Sequence, residues 1–353
     1  MAWFGDKTYL GAEIGTTTIK LVELIKSGKE IRLKNYGILE TYGYLERFNN
    51  ALQTSSLKAL ESEISAYLSI ILQHAKIKSR NATVSLPAFS AFTTLIELPD
   101  IPEGELASAM AFQAKQYVPL PITSVKLDYI KVGERMDENG LKLQQIFLVS
   151  IPNEQIDRYQ KIFNGARLNL NALEVEGMSL ARVLTKGIKE PTMIVDLGAR
   201  STSFAIAKDG FLRFEAQTDF AGGSLTQALA SGMNISPRRA EELKQQRGLL
   251  ATGAESELST LMLPILDVII NEARRAKENF EKSYKEGVTS LVLTGGGANL
   301  LGIEDYFTQQ LAVKTVRANP FRNIIYPPEI EPIIKKSGPA FAVALGAAIR
   351  NLV

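Results

Sequence analysis

Glu13, Gly15, the threonines Thr16, Thr17 and Thr18, and Lys20 lie close together between an apolar lead-in (Tyr9, Leu10) and an apolar exit (Ile19, Leu21). Their chemistry is that of an anion grip. Glycine lets a backbone come close to a ligand, successive amides in a tight turn form a small anion-binding concavity, the hydroxyls add donors and the lysine adds charge. A carboxylate at Glu13 is suited to a hydrated cation. The same residues also fit an ordinary polar β-hairpin with Lys20 on its surface. The pattern returns far downstream as Asp196-Leu197-Gly198-Ala199-Arg200-Ser201-Thr202, with Asp196 aligned to Glu13 and Gly198 to Gly15. Such a long-period duplication, with an acid and a phosphate-sized turn in each half, suggests a nucleotide held between two similar units. Two glycine sets follow: Gly222 and Gly223 after Asp219-Phe220-Ala221, and Gly295, Gly296 and Gly297 after Leu293-Thr294. Each set also fits plain turn glycines.

These residues need strands that deliver them. Apolar alternation predicts a strand–turn–strand opening, a third strand over 30–39, a helix carrying Leu57, Leu60, Ile64, Tyr67, Leu68 and Ile71, and a strand over 82–86 that stops at Pro87. From 87 to about 168 the order strand, helix, strand, strand, helix predicts a small sheet with helices on one side. Its first helix starts at Pro102-Glu103, its hairpin turns at Asp137-Glu138-Asn139-Gly140, and Asn153 is placed to cap its second helix. After a strand at 173–175 and a helix at 176–184, the second half repeats three strands. Helices at 223–231, 237–247 and about 256–285, a strand at 290–294 and an alanine-rich helix at 339–351 complete it. Gly346 on that last helix would allow close packing.

Composition removes several chemistries. The chain has 353 residues and no cysteine, so disulfides, thiolate nucleophiles and Cys-ligated zinc are excluded. His74 is the single histidine, which excludes His-clustered metal sites and argues against Ser-His-Asp catalysis. A net charge of +2 gives no electrostatic case for nucleic acid. No signal-peptide pattern opens the chain. The most apolar helical stretch, Leu258 to Ile270, is interrupted by Pro264 and Asp267, so no direct membrane insertion is expected. The expected location is cytoplasmic, peripheral to the inner membrane through partners.

In this order, the two acid–x–Gly hairpins, Phe220-Ala221-Gly222-Gly223-Ser224-Leu225-Thr226 and Leu293-Thr294-Gly295-Gly296-Gly297-Ala298 resemble the actin-like ATPase superfamily, along essentially the whole chain. The resemblance implies an α/β fold: two α/β domains with duplicated mixed sheets flanking a nucleotide cleft, plus an FtsA-type inserted subdomain. It implies ATP or ADP and Mg²⁺ as ligands. Gly15, Thr16, Thr17, Thr18 and Lys20 would meet the β- and γ-phosphates, with Gly198 and Ala199 on the opposite side. Gly222 and Gly223 would line the ribose, and Gly295, Gly296 and Gly297 would pack against adenosine and the α-phosphate. Glu272 would bind ribose hydroxyls, although it fits equally a solvated helix charge. Glu13 and Asp196 would hold the metal through water, and Glu176 and Asp196 would serve catalysis, Glu176 facing the attacking water. Glu13 departs from the superfamily's usual Asp. Its extra methylene changes the reach toward a metal-bound water, so at most slow hydrolysis is expected.

Within the superfamily, the segment 87–168 and two later stretches resemble the PilM family of type IV pilus machines. The residues that carry this are Leu95-Ile96-Glu97-Leu98-Pro99, Ala111-Phe112-Gln113-Ala114-Lys115-Gln116-Tyr117-Val118-Pro119, Leu127-Asp128-Tyr129, Glu174-Val175-Glu176 and Ser337-Gly338-Pro339-Ala340-Phe341-Ala342-Val343-Ala344-Leu345-Gly346. Gln113 stands where that family usually has an acid. The absence of a basic amphipathic run after the alanine-rich helix favours PilM over FtsA. The implied boundaries are 1–86 for the first part of domain 1, 87–168 for the insert, 169–190 for the return to domain 1, 191–335 for domain 2 and 336–353 for a helix returning to domain 1. The implied partner is the N-terminal cytoplasmic peptide of PilN, in a groove between domain 1 and the insert. The pilus motor ATPases and platform protein are further implied partners. A filament former like FtsA or MreB, and a small-molecule kinase of the same superfamily, are the alternative expectations.

Overall fold

The computed structural model describes residues 7–40, 60–250 and 256–352. Two five-stranded mixed sheets share one plan. In the first, β1 (Thr8–Ile14), β2 (Thr18–Ser27) and β3 (Glu30–Glu40) form an antiparallel meander, and β4 (Asn81–Leu86) and β8 (Asn169–Val175) extend it in parallel, in the order β3-β2-β1-β4-β8. In the second, β9 (Thr192–Leu197), β10 (Thr202–Lys208) and β11 (Phe211–Thr218) form the meander, and β12 (Ser290–Thr294) and β13 (Thr315–Arg317) extend it, in the order β11-β10-β9-β12-β13. Strand for strand the two orders are the same, so the duplicated motif sits at the same corner of each sheet.

Helices cover these sheets because each presents one apolar stripe. On the first sheet lie α1 (Glu61–His74), α4 (Glu176–Leu184) and α10 (Ala342–Ile349), whose buried residues share one core with β1, β2 and β4. All eight residues of α10 are buried. A Cβ on Gly11 of β1 would meet the α10 backbone at Ala344 and Ala348, and one on Gly346 would meet the α4 backbone at Ser179, so both glycines are required by close approach. On the second sheet lie α5 (Gly222–Met233), α6 (Pro237–Arg247), α7 (Ser256–Tyr284) and α8 (Ile303–Leu311) around a second core. The helix α7 runs through Pro264 without ending. A short α9 (Glu331–Ser337) leads back toward α10. Among the described residues no helix is long and apolar enough to cross a membrane.

A third sheet, of order β5-β7-β6, is built from β5 (Phe92–Pro99), β6 (Val125–Met136) and β7 (Lys142–Pro152), with α2 (Glu103–Tyr117) on one face. The second helix of this segment, α3 (Asn153–Gly165), does not join α2, contrary to the expectation of helices on one side. Its Tyr159, Ile162 and Phe163 share a core with Ile64 and Leu68 of α1, and Ser65 Oγ donates to the Ile162 carbonyl at 2.8 Å. The other face of the small sheet, through Phe147, Val149 and Ile151, belongs to that same large core. Asn153 is the first helical residue rather than the cap, and its side-chain amide donates to the Thr123 carbonyl at 3.1 Å. The alanine-rich helix begins at Ala342 after a 3₁₀ turn over Gly338–Phe341. Leu57 of the predicted first helix lies outside the described residues.

Candidate functional site: two matched turns and their carboxylates

The two hairpins close in the same way. The Gly15 amide donates to the Thr18 carbonyl at 2.9 Å, and the Gly198 amide donates to the Ser201 carbonyl at 3.1 Å. Neither glycine takes a positive φ. The reason for glycine is space: a Cβ would lie 3.0 Å from the Thr18 carbonyl oxygen in the first turn and 2.9 Å from that of Ser201 in the second. Gly15, Thr16, Thr17 and Thr18 are half-buried, as are Gly198 and Ala199, so both turns keep an open side.

In strand register Glu13 stands opposite Lys20, and Asp196 stands opposite Ser203. The Lys20 ammonium donates to Glu13 Oε1, and both side chains are buried. Among the described residues, Glu13 Oε2 has no hydrogen-bond partner, and neither does the buried Ser203 Oγ. Asp196 faces Ser203 rather than a cation across its strand pair. Burial, followed by the negative charge of Glu13, pushes its carboxyl up to about 7, against the opposing pull of Lys20. Glu176, the first residue of α4, is pushed well above the usual carboxylate range by burial and then by the charges of Asp196, Glu13 and Glu215. Glu13, Lys20, Glu176 and Asp196 are thus brought into one electrostatic group. Asp196 and Glu176 keep an edge of solvent contact.

Sequence reasoning missed a fourth carboxylate in this group, Glu215 of β11. Burial is the largest influence on it and raises it to about 7, with the Asp196 charge adding to the rise and the Gly177 amide tempering it. Neither Glu215 oxygen makes a hydrogen bond of good geometry. Glu215 packs directly over Gly177, where a Cβ would displace the Glu215 carboxylate. No local pattern marks Glu215, whose strand alternates charged and apolar residues like any half-exposed edge.

The glycine sets behave differently from one another. The Gly222 amide donates to the Gly198 carbonyl at 2.9 Å, and the Gly223 amide to the Ala199 carbonyl at 2.8 Å. The start of α5 is therefore a buttress under the second turn, with its first amides already engaged. Behind it, the buried Lys244 ammonium donates to the Gly222 carbonyl and to Thr226 Oγ1, each at 2.8 Å, and pairs with Glu241 at 2.6 Å. This second support was also absent from the sequence reading. Gly295 has φ +79°, and a Cβ there would collide with Asp196 Oδ1 and lie 2.6 Å from the Leu197 carbonyl oxygen. Gly297 presses on the Leu197 side chain, whereas a Cβ on Gly296 would meet nothing within 4 Å. The triple-glycine turn thus wraps over the second acid and leaves room at its middle residue. Glu272 stands apart: it accepts from Arg275 at 3.0 Å one turn along α7, and no bond to either hairpin is found among the described residues.

The donor set suits a solvated divalent cation better than a chelated one. Among the described residues no three carboxylates converge as direct ligands, while Glu13 Oε2 is buried without a hydrogen-bond partner and Asp196 is half-buried beside the second turn.

Comparison with known proteins bears on fold and family. The cell-division protein FtsA of Enterococcus hirae is 25% identical over 349 residues, spanning 84% of this chain and 75% of FtsA. A solved PilM–PilN type IV pilus biogenesis complex superposes with a TM-score of 0.81 at 24% identity, covering 98% of each chain. MreB5 of Spiroplasma citri bound to AMPPNP superposes with a TM-score of 0.53 at 12% identity, covering 98% of this chain and 96% of that one. The duplicated sheets are those of the actin-like ATPase fold. The family model described as type IV pilus assembly protein PilM matches residues 11–352, and the chain belongs to that family.

Proposed function

We propose that this protein is the ATP-binding scaffold of a type IV pilus assembly machine, with Mg-ATP held between its two hairpins. The observation that carries the reading is the identical closure of the Gly15 and Gly198 turns, each beside an acid, at the same corner of two equivalent sheets. Gly15, Thr16, Thr17, Thr18 and Lys20 receive the β- and γ-phosphates, and Gly198 and Ala199 approach from the other side. Gly222 and Gly223 hold the second turn in place, and Gly295, Gly296 and Gly297 take the adenosine side, with the open position at Gly296 facing the ligand. Glu13 and Asp196 bind Mg²⁺ through water, and Glu272 reaches the ribose after releasing Arg275. Mg²⁺, when bound, neutralises phosphate charge.

Turnover is slow in this reading. The extra methylene of Glu13 changes its reach toward a metal-bound water, and Lys20 starts out engaged with Glu13. The protein then works by binding. Its partner is the N-terminal cytoplasmic peptide of PilN, taken up between the first domain and the segment 87–168, as an extended peptide in a groove. Through PilN the protein sits at the cytoplasmic face of the inner membrane and relays nucleotide state to the pilus motor ATPases and platform protein.

The test is a structure determined with Mg-AMPPNP. The triphosphate is expected between residues 15–20 and 198–199. Nucleotide bound elsewhere, or no nucleotide at concentrations that saturate binding in solution, overturns the reading.

A further inference from the structure

Two strand irregularities meet where the second sheet touches the small one. The pairing of β10 with β11 steps from Ile206–Phe214 to Ala207–Leu212, leaving Arg213 as the extra residue of a β-bulge. The pairing of β6 with β7 steps from Lys131–Ile146 to Gly133–Gln145, leaving Val132 as the extra residue of another. Bulges re-aim side chains and free backbone groups from the ladder. Here the Arg213 guanidinium donates to the freed Val132 carbonyl and, at 2.6 Å, to Gln145 Oε1 of β7. A Cβ on Gly133 would lie 2.8 Å from Arg213 Nη1, so the neighbouring glycine makes room for it.

Arg213 is 9% exposed, its acceptors are neutral, and its Nε has no partner among the described residues. A guanidinium in this state costs desolvation that an apolar residue of similar size would not, so stability alone does not account for it. The bonding continues beyond it. Gln145 Nε2 donates to Glu97 Oε1 of β5 at 3.0 Å, and Glu97 accepts two bonds from Arg135 of β6, at 2.6 and 2.5 Å. One buried arginine therefore ties β11 to all three strands of the small sheet. Two residues along the same strand, Glu215 lies against Gly177, the neighbour of Glu176 at the start of α4, and stands in the carboxylate group around Asp196.

We propose that Arg213 is a positioning residue that couples the nucleotide site to the three-stranded module, with β11 as the rigid link between Glu215 and the docked bulges. The proposal rests on the nucleotide reading given above. When Mg-ATP changes how Glu176, Asp196 and Glu215 are held, β11 shifts with Glu215, and the Val132 and Gln145 bonds to Arg213 pass the shift to β6 and β7. By linkage, whatever binds the module changes nucleotide affinity by the same factor.

Hydrogen exchange of the full chain, with and without Mg-ATP, tests this in wild type, Arg213→Met and Gln145→Leu. Met keeps the apolar stem and removes the donors, and Leu removes the acceptor from the other side, so a folding defect in one variant leaves the other. In wild type, Mg-ATP is expected to slow exchange at least about 5-fold both in the hairpins (13–20 and 196–203) and in 129–133 and 143–147 of the module. In a folded variant the hairpin protection is expected to remain and the module response to vanish. Hairpin protection in wild type without any module response, or a module response that survives in the folded variants, overturns the coupling and leaves nucleotide binding standing. Absence of protection in the wild-type hairpins overturns both.

Discussion

Lys20 and Ser203 hold equivalent places in the two hairpins, each directly opposite the acid of its own strand pair. Only the first acid has a cation across from it. Glu13 is thereby paired in a buried bond, whereas Asp196 stays uncompensated at its own strand and is raised to about 7. This asymmetry sets the direction of the predictions that follow.

Removing the cation leaves a buried carboxylate behind. Lys20→Ala is expected to destabilise the protein by about 2–4 kcal/mol. Urea unfolding checks this. A loss below about 0.5 kcal/mol would contradict the role given to the pair.

The raised carboxyls predict an inverted pH response in the nucleotide-free protein. Glu215 takes up its proton near pH 7 when folded and near pH 4.5 when unfolded, so the folded state holds more protons between those values. Its contribution is fully present below pH 4.5 and is lost as pH rises through about 7. Allowing for solvent contact, the loss is about 1–2 kcal/mol. Thermal unfolding at pH 5.5 and 8 should show the wild type losing more stability with rising pH than Glu215→Gln does. Parallel profiles would show that Glu215 is solvated and ordinary.

Neighbouring glycines of the triple-glycine turn should respond oppositely. Gly295→Ala forces a side chain onto a backbone at φ +79° and into Asp196 and Leu197, and is expected to cost about 2–4 kcal/mol. Gly296→Ala meets open space and should change stability by less than about 0.5 kcal/mol. Chemical denaturation of both variants decides. Equal losses would mean that the turn is not shaped around the second acid.

A buried ion pair between β8 and α4 provides a further test of the first sheet. Glu174 is 3% exposed and accepts two bonds from Arg182, at 2.7 and 2.9 Å, while Arg182 also donates to the Gly346 carbonyl at 2.8 Å. Arg182→Met is expected to cost about 3–5 kcal/mol by stranding that carboxylate, seen as a lower denaturant midpoint. A neutral result would show that Arg350, at 3.3 Å, suffices on its own.

The matched hairpins were legible in the sequence because an acid two residues before a glycine, between alternating strands, needs no distant partner to be recognised. The triple glycine was legible for a similar reason, although its division of labour, with Gly295 and Gly297 packed and Gly296 open, depends on where Asp196 and Leu197 sit. Gly15 does not take a positive φ, and the nearness of the Thr18 carbonyl that calls for glycine there is a steric requirement composition does not reveal. The order of elements placed α3 beside the small sheet, but could not say that it packs on α1 instead of joining α2. Glu215 and Arg213 were invisible for a stronger reason. One acts through a glycine on another helix, and the other through a bulge meeting a bulge in a different sheet, and neither leaves a local pattern.

Isothermal titration of the full-length protein with ATP, in Mg²⁺ and then in EDTA, tests the central claim most directly. The wild type is expected to bind one Mg-ATP with micromolar affinity. Lys20→Ala and Gly296→Val should each weaken binding at least about 10-fold, a loss of about 1.4 kcal/mol, and EDTA should weaken it for the wild type. No binding by folded wild-type protein, or binding that neither substitution alters, would contradict a nucleotide held between the two hairpins.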